Sequence, residues 1–168
     1  YCNLVGGQDE LVFDGQSFVM DAGGCIVLRT PAFREGLHRI DFVRDAAGRA
    51  VPALPAGAVA SAVAPELADD ASVYQALVLG VRDYVTKHGF PGVVMGLSGG
   101  IDSALTLAIA ADALGAERVH AVMMPSRYTA DMSVSDAAEQ ARGMGVHYSC
   151  IPIEGMFDAT LAALKDEF

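Results

Sequence analysis

The spacing of apolar residues changes partway along the chain. Over residues 1–28 they fall in short runs, at 1–5, 10–13, 17–20 and 25–28, separated by Gly6-Gly7, Asp14-Gly15 and Ala22-Gly23-Gly24. Short apolar runs bounded by turn residues predict β-strands, the last two paired as a hairpin. Residues 34–44 mix charge with apolar positions and hold one further strand, and residues 46–64 are rich in Ala, Pro and Gly, a linker composition. Beyond residue 68 the period lengthens. Asp69-Asp70 place acid at a helix start, and Val73, Leu77, Val81 and Tyr84, with Ala76, Gly80 and Val85, form an apolar stripe that ends at Lys87-His88-Gly89. A strand at Val93-Val94-Met95 leads to a buried helix through residues 105–111 that Gly115 closes. A strand over 118–124 then ends at Pro125. Ser133 and Asp136 have capping-box spacing and open a helix that runs to Met144 and stops at Gly145. A strand over 146–153 follows, and Met156, Phe157, Leu161 and Leu164 share one face of a last helix. Strands alternating with helices predict an α/β fold with a doubly wound parallel sheet.

Composition narrows the choice of partners. Hydrophobic residues make up 52% of the 168, enough for a substantial core. The formal net charge of −10 argues against a general binder of nucleic acid or anionic membrane, because phosphate backbones require basic surface. The weakly polar stretch 51–68 is broken by Pro52, Pro55 and Pro65, so it does not predict a membrane span. Cys2, Cys25 and Cys150 are too few and too widely spaced for a zinc pattern or a disulfide framework, which fits a reducing, cytoplasmic setting. Cys2 has no neighbouring base and lies in an apolar run, so it reads as a small buried strand residue rather than a nucleophile. Asp9, Glu10 and Asp14 read as turn residues, His88 as a partner for a helix carboxyl end, and His120 and His147 as strand-interior residues.

The chemistry concentrates in Gly96-Leu97-Ser98-Gly99-Gly100-Ile101-Asp102-Ser103. This stretch joins a predicted strand to a predicted helix. The glycines permit a sharp turn, and the first amides of the new helix lack partners within it. Those N–H groups and the helix dipole make a seat for phosphate, to which Ser98 and Ser103 add hydroxyls. Two familiar phosphate loops are absent: no lysine follows Gly100, and Ser98 occupies the second glycine position of G-x-G-x-x-G. Asp102 is the informative departure. A carboxylate on such a loop repels its ligand unless a hard cation lies between them, and Mg²⁺ is the natural candidate.

S-G-G-x-D-S after a strand resembles the pyrophosphate loop of the ATP pyrophosphatase enzymes, which cleave ATP between its α and β phosphates and transfer AMP to a substrate oxygen. The blocks 82–90, 93–104 and Met124-Pro125-Ser126-Arg127-Tyr128-Thr129, in this order, resemble the glutamine-dependent NAD(+) synthetases in particular. The resemblance implies a sheet of the adenine nucleotide alpha hydrolase-like type. It implies ATP held by Gly96, Leu97, Ser98, Gly99, Gly100, Ile101, Asp102, Ser103 and Met124, with Mg²⁺ on Asp102. The backbone around Met123-Met124 would face adenine; the other reading of these two residues is plain core packing, which is compatible with such backbone contacts. Both loops follow strand carboxyl ends, where ligands bind in such sheets at the switch point. The implied substrates are nicotinic acid adenine dinucleotide, ATP, and glutamine or ammonia, in a multimer with an internal ammonia tunnel.

Asn3, Gly6, Phe13, Gly15, Ser17, Asp21 and Gly23 are similar to the closing strands of a carbon–nitrogen hydrolase (nitrilase-like) glutaminase domain. The expected organisation is therefore 1–45 as the end of that domain, 46–68 as linker and 69–168 as the first part of an ATP-binding synthetase domain. The family's glutaminase Glu, Lys and Cys come earlier than residue 1, so none is assigned here and the chain reads as an internal piece. Two alternatives stand beside this: another pyrophosphatase-loop ligase of the GMP synthetase or tRNA-modifying kind, against which the nitrilase-like tail argues, and a nucleotide-binding piece with no catalysis of its own.

Overall fold

The computed structural model describes residues 1–53 and 62–166. Chain contacts divide it into two units, Tyr1–Asp83 and Tyr84–Phe168.

In the first unit the strands form three separate two-stranded antiparallel sheets: β1 (Val5–Gln8) with β2 (Leu11–Asp14), β3 (Phe18–Met20) with β4 (Ile26–Arg29), and β5 (Asp41–Arg44) with β6 (Ala50–Ala53). The β3–β4 hairpin is the one expected from the pattern. The first strand is not: it begins at Val5 and carries Gly6-Gly7 within it, and the turn falls at Asp9-Glu10, with Asp9 at φ +52°. The reason is close packing. Gly7 donates its N–H to Asp83 Oδ2 at 2.8 Å, and a Cβ there would stand 3.2 Å from both Gly80 Cα and Asp83 Cβ. Glycine therefore serves helix–strand approach here rather than a turn. Cys2 consequently lies outside the strand and is exposed, contrary to the buried position expected for it.

Aspartates close the other hairpins. Asp21 Oδ1 accepts from the N–H groups of Gly23 and Cys25, and Asp45 Oδ1 from those of Ala47 and Arg49. The bonds from Arg49, backbone first and then side chain, hold the Asp45 carboxyl below its ordinary range. Within the Ala/Pro/Gly-rich stretch, Ala50–Ala53 pairs as β6 and Val63 bridges to Arg29 of β4, whose guanidinium also bonds Ala64 O and pairs with Glu66. The remainder of that stretch, 54–61, lies outside the described residues.

Helix α1 (Asp69–Lys87) has the ends its acidic start and basic finish predict. Its buried residues, however, are Val78, Leu79 and Val85, while Val73, Leu77 and Tyr84 of the expected stripe are exposed. Apolar residues lie on more than one face of this helix, so periodicity alone does not choose between faces. His88 Nδ1 lies 2.7 Å from Tyr84 O at the helix end, the role expected of it.

In the second unit β7 (Val93–Gly96), β8 (Val119–Met123) and β9 (His147–Cys150) form a parallel sheet in the order β7-β8-β9. Helices α2 (Ile101–Leu114) and α3 (Asp131–Met144) make the two crossovers, and α4 (Glu154–Leu164) follows β9. The core lies where α2 and α3 cover the face bearing Val119, Ala121 and Met123, with Leu107, Ala137 and Ala141 fully buried above them. Gln140 Nε2 joins the two helices by donating to Ala104 O at 2.8 Å. This is the expected parallel α/β arrangement. The described strands run in sequential order, without the reversal of a doubly wound sheet, and Val94 on the opposite face is 74% exposed.

Several ends differ from the pattern. Helix α3 starts at Asp131, with Ala130 as its N-cap and no side-chain cap, so Ser133 lies inside the first turn instead of capping it. Arg118 precedes β8 in a 3₁₀ turn (Ala116–Arg118) because its guanidinium is engaged by the carbonyls of Phe90 and Pro91. Strand β9 is shorter than expected. Val146 N–H bonds back to Ala141, while Ile151 and Ile153 N–H bond Met123 O and Pro125 O. Met156, Leu161 and Leu164 are exposed on α4.

Candidate functional site

The loop between β7 and α2 is built from two anchors and one tight contact. Leu97, 1% exposed, continues the sheet by donating its N–H to Val122 O at 2.9 Å. Gly99 adopts φ +78°, and a Cβ there would lie 2.2 Å from the Ser133 carbonyl oxygen on α3, so backbone packs directly on backbone. Gly100 has φ −91°, a value open to any residue, and is the N-cap of α2 with no side-chain cap. Of the paired glycines, only Gly99 is demanded by conformation.

The two serines face each other. Their hydroxyl oxygens are 3.0 Å apart; Ser98 N–H donates to Ser103 Oγ, Gly100 N–H donates to Ser98 Oγ, and Ser103 Oγ donates to Gly100 O at 2.9 Å. The loop is thereby shaped by its own hydroxyls, while the first amides of α2 remain without intrahelical acceptors. The buried apolar side of α2, with Leu107 and Ala110, fixes the direction in which those amides and the helix dipole point.

A cavity of about 350 Å³ lies at this point. One wall is Gly96, Leu97, Ser98 and Ser103; the other comes from the end of β8 and the segment after it, including Met124 and Thr129. The loop at Ser98 to Ser103 and the segment 124–129 thus meet across the carboxyl ends of β7 and β8. Among the described residues no Lys or Arg lines the cavity, so any attraction for an anion would come from the helix amino terminus and loop amides. A larger cavity, about 530 Å³, lies in the first unit among residues such as Leu4, Phe18 and Leu28, and among the described residues no helix end lines it.

Of the residues singled out in the sequence, Gly96, Leu97, Ser98, Ser103 and Met124 line the cavity; Gly99 packs behind the loop, and the Ile101 side chain is 81% exposed. Met123 and Met124 both line the cavity; Met123 is also a core residue whose carbonyl accepts from Ile151, and Met124 is half exposed. Asp102 lies exposed in the first turn of α2 and is that turn's acidic residue. Among the described residues no three His, Cys, Asp or Glu side chains gather into a metal cage. Asp102 is not among the residues lining the cavity, and the Mg²⁺ expectation rests on this one exposed carboxylate, which would leave most of the ion's coordination to ligand and water oxygens.

Thr129 is the wall residue that sequence reasoning passed over. Its Oγ1 accepts from Ser126 N–H at 3.0 Å, its N–H donates to Ser126 O, and Tyr128 N–H lies 3.3 Å from Ser126 Oγ, making 126–129 a closed turn. The signal was a Ser and a Thr three apart straight after a strand-ending proline. His120 is satisfied by Ser149 Oγ at 2.8 Å. Tyr148 has its hydroxyl buried without a partner, and burial pushes its pKa up. No helix among the described residues is long and apolar enough to cross a membrane.

A parallel strand, an S-G-G-x-D-S turn and a helix whose amino end opens on a cavity at the strand carboxyl ends define a pyrophosphatase-loop domain of the adenine nucleotide alpha hydrolase type. The NAD synthase family profile matches residues 73–168, and the chain belongs to that family. It is 50% identical over 165 residues to a glutamine-dependent NAD(+) synthetase of Rhodobacter capsulatus, covering 98% of this chain and 28% of that one. It is similar to the structure of glutamine-dependent NAD+ synthetase from Acinetobacter baumannii in complex with adenosine diphosphate, with TM-score 0.88 and 50% identity over 100% of this chain and 30% of that one. The structure of NMN synthetase from Francisella tularensis matches at TM-score 0.55 and 28% identity, covering 60% of this chain and 41% of that one. The chain thus spans less than a third of the length of its glutamine-dependent relatives.

Proposed function

We propose that this chain is the nucleotide-activating portion of a glutamine-dependent NAD(+) synthetase. The reaction is the ATP-dependent amidation of nicotinic acid adenine dinucleotide. Its carboxylate attacks the α-phosphate of ATP and pyrophosphate leaves. Ammonia released from glutamine then displaces AMP from the mixed anhydride to give NAD. The observation that carries this reading is the cavity between the Ser98–Ser103 loop and Met124–Thr129, at the amino end of α2. Its likeness to a relative whose structure holds ADP supports a nucleotide there.

The chain's own residues supply position and charge stabilisation. Loop amides, with Ser98 and Ser103 turned outward from each other, receive the β and γ phosphates as negative charge grows on the departing pyrophosphate. Gly96 and Met124 border the rest of the nucleotide, and the exposed Asp102 would hold Mg²⁺ against the phosphate oxygens. When bound, that ion neutralises charge on the leaving group. On this reading residues 1–45 close a glutaminase domain, 46–68 connect it and 69–168 begin the synthetase domain. The assembly is a cytoplasmic multimer.

The test uses the full-length protein with Mg-ATP, ammonium and either nicotinic acid adenine dinucleotide or the corresponding mononucleotide acid, following AMP and amide product together by mass spectrometry. Equal amounts of AMP and NAD, dependent on the dinucleotide, are expected. Turnover of the mononucleotide alone would move the chain to the activity named for its Francisella tularensis relative. Asp102→Ala is expected to lower synthesis from both glutamine and ammonium by about a hundredfold. Unchanged ammonium-dependent activity would remove Asp102 from the mechanism.

A further inference from the structure

The turn that forms one wall of the nucleotide cavity is held from outside by a single arginine. Arg127 and Tyr128 occupy the middle of the 126–129 turn, and both face α4. Arg127 N–H donates to Glu154 Oε2 at 2.9 Å, its Nε pairs with Glu154 Oε1, and its Nη2 reaches Asp158 Oδ1 at 2.5 Å. The guanidinium also lies over the Phe157 ring, 5.4 Å from the centroid, and Tyr128 meets the same ring edge-on at 5.8 Å. Pro125 O accepts from Ile153 N–H at 3.0 Å just before the helix. One residue thus engages two carboxylates and one aromatic face on successive turns of α4. Thr129, which closes the turn, and Met124, two residues before it, are among the residues that line the cavity.

A guanidinium matches this arrangement in a way an ammonium does not: its planar fork bonds Glu154 and Asp158 together while stacking on Phe157. Nothing in these contacts reaches the cavity itself, so Arg127 acts through the turn. The geometry points to Arg127 as a positioning residue that clamps the 126–129 turn to α4 and so holds Met124 and Thr129 against the nucleotide. This rests on the nucleotide reading given above. Charge and chemistry of the reacting phosphates are handled by the loop on the opposite wall. Loosening the clamp therefore weakens nucleotide binding while leaving the chemical step in place.

The experiment measures ammonium-dependent synthesis in the full-length protein against ATP concentration, with wild type, Arg127→Ala and Arg127→Lys. Arg127→Ala is expected to raise the KM for ATP about tenfold with kcat changed less than about twofold. Arg127→Lys is expected to recover part of the loss, since it keeps the charge without the fork. A second variant, Glu154→Gln, removes charge from the α4 side of the clamp and is expected to raise the KM for ATP in the same direction. An unchanged KM in both Arg127→Ala and Glu154→Gln overturns the inference. A fall in kcat at unchanged KM overturns it as well, because that pattern belongs to a group acting on the chemistry or to general loss of folded protein. Absence of any ATP dependence in the wild type would overturn the nucleotide reading itself, and this inference with it.

Discussion

Two of the chain's three Gly-Gly dipeptides, Gly6-Gly7 and Gly99-Gly100, do opposite things. Gly7 lies in β1 with a negative φ, and its missing Cβ lets a helix come close: Gly80 Cα and Asp83 Cβ stand 3.2 Å from where that atom would be. Gly99 turns the chain at φ +78°, and its missing Cβ admits a backbone oxygen at 2.2 Å. A glycine pair in sequence reports only that something needs room. Whether the need is a turn or an approach depends on what arrives from elsewhere in the chain.

The largest expected effect follows from the second pair. Gly99→Ala combines a left-handed conformation with a clash against the Ser133 carbonyl, and neither partner is a flexible side-chain end. A loss of about 3 kcal/mol in urea-induced unfolding is expected, with loss of NAD synthesis. A well-folded, active alanine variant would dismiss the backbone contact as a constraint on the loop. Next comes Gly7→Ala, where the approach is tight but φ is ordinary. About 1 kcal/mol of destabilisation and an unchanged KM for ATP are expected, because β1 belongs to the first unit and the Ser98–Ser103 loop to the second. A large rise in that KM would show that the first pair also serves the site. Gly100→Ala is expected to alter stability by less than about 0.5 kcal/mol, since φ −91° suits alanine and the new Cβ would meet only Ser98 Oγ, at 3.4 Å. Equal losses at Gly99 and Gly100 in the same unfolding experiment would break the distinction drawn between them.

The smallest effect concerns the clamp on the turn after β8. The Arg127 N–H bond, more than the guanidinium beside it, holds the Glu154 carboxyl below its ordinary value of 4.5. A carboxylate depressed by folding contributes stability above its unfolded value and loses it as pH falls through the folded one. The difference in melting temperature between wild type and Glu154→Gln, which removes the carboxylate itself, is therefore expected to hold steady near neutrality and to narrow below pH 4.5. A difference independent of pH across that range would count against the Glu154 pairing.

The part of the molecule legible in the sequence is the part governed by local rules. The strand at Val93, the S-G-G-x-D-S turn, the start of α1 at Asp69-Asp70 and the ends of α2 and α3 at Gly115 and Gly145 depend on residues within a few positions of one another, and all were legible. Long-range contacts decided the rest. Gly6-Gly7 became strand because α1 lies against it. Ser133 could not be recognised as an interior helix residue without the Gly99 contact. The buried face of α1 is chosen by neighbours rather than by its own period, and Thr129 reached the cavity through a turn whose outer side is fastened to α4. In the candidate site the loop at the start of α2 was legible because a helix start is a local event; on the opposite wall Met124 was expected, whereas Thr129 was not singled out because its turn is fastened to a partner helix.

The mutual hydrogen bonding of Ser98 and Ser103 has a consequence for selectivity. A ligand entering the loop must exchange those internal bonds for its own, so an anion gains entry only if it accepts hydrogen bonds at least as well as a serine oxygen and a peptide carbonyl do. Chloride and other weak acceptors, abundant in any cell, leave the two hydroxyls facing each other. On the proposed nucleotide reading a phosphate would draw them apart, and the seat would discriminate by acceptor strength before it discriminates by shape.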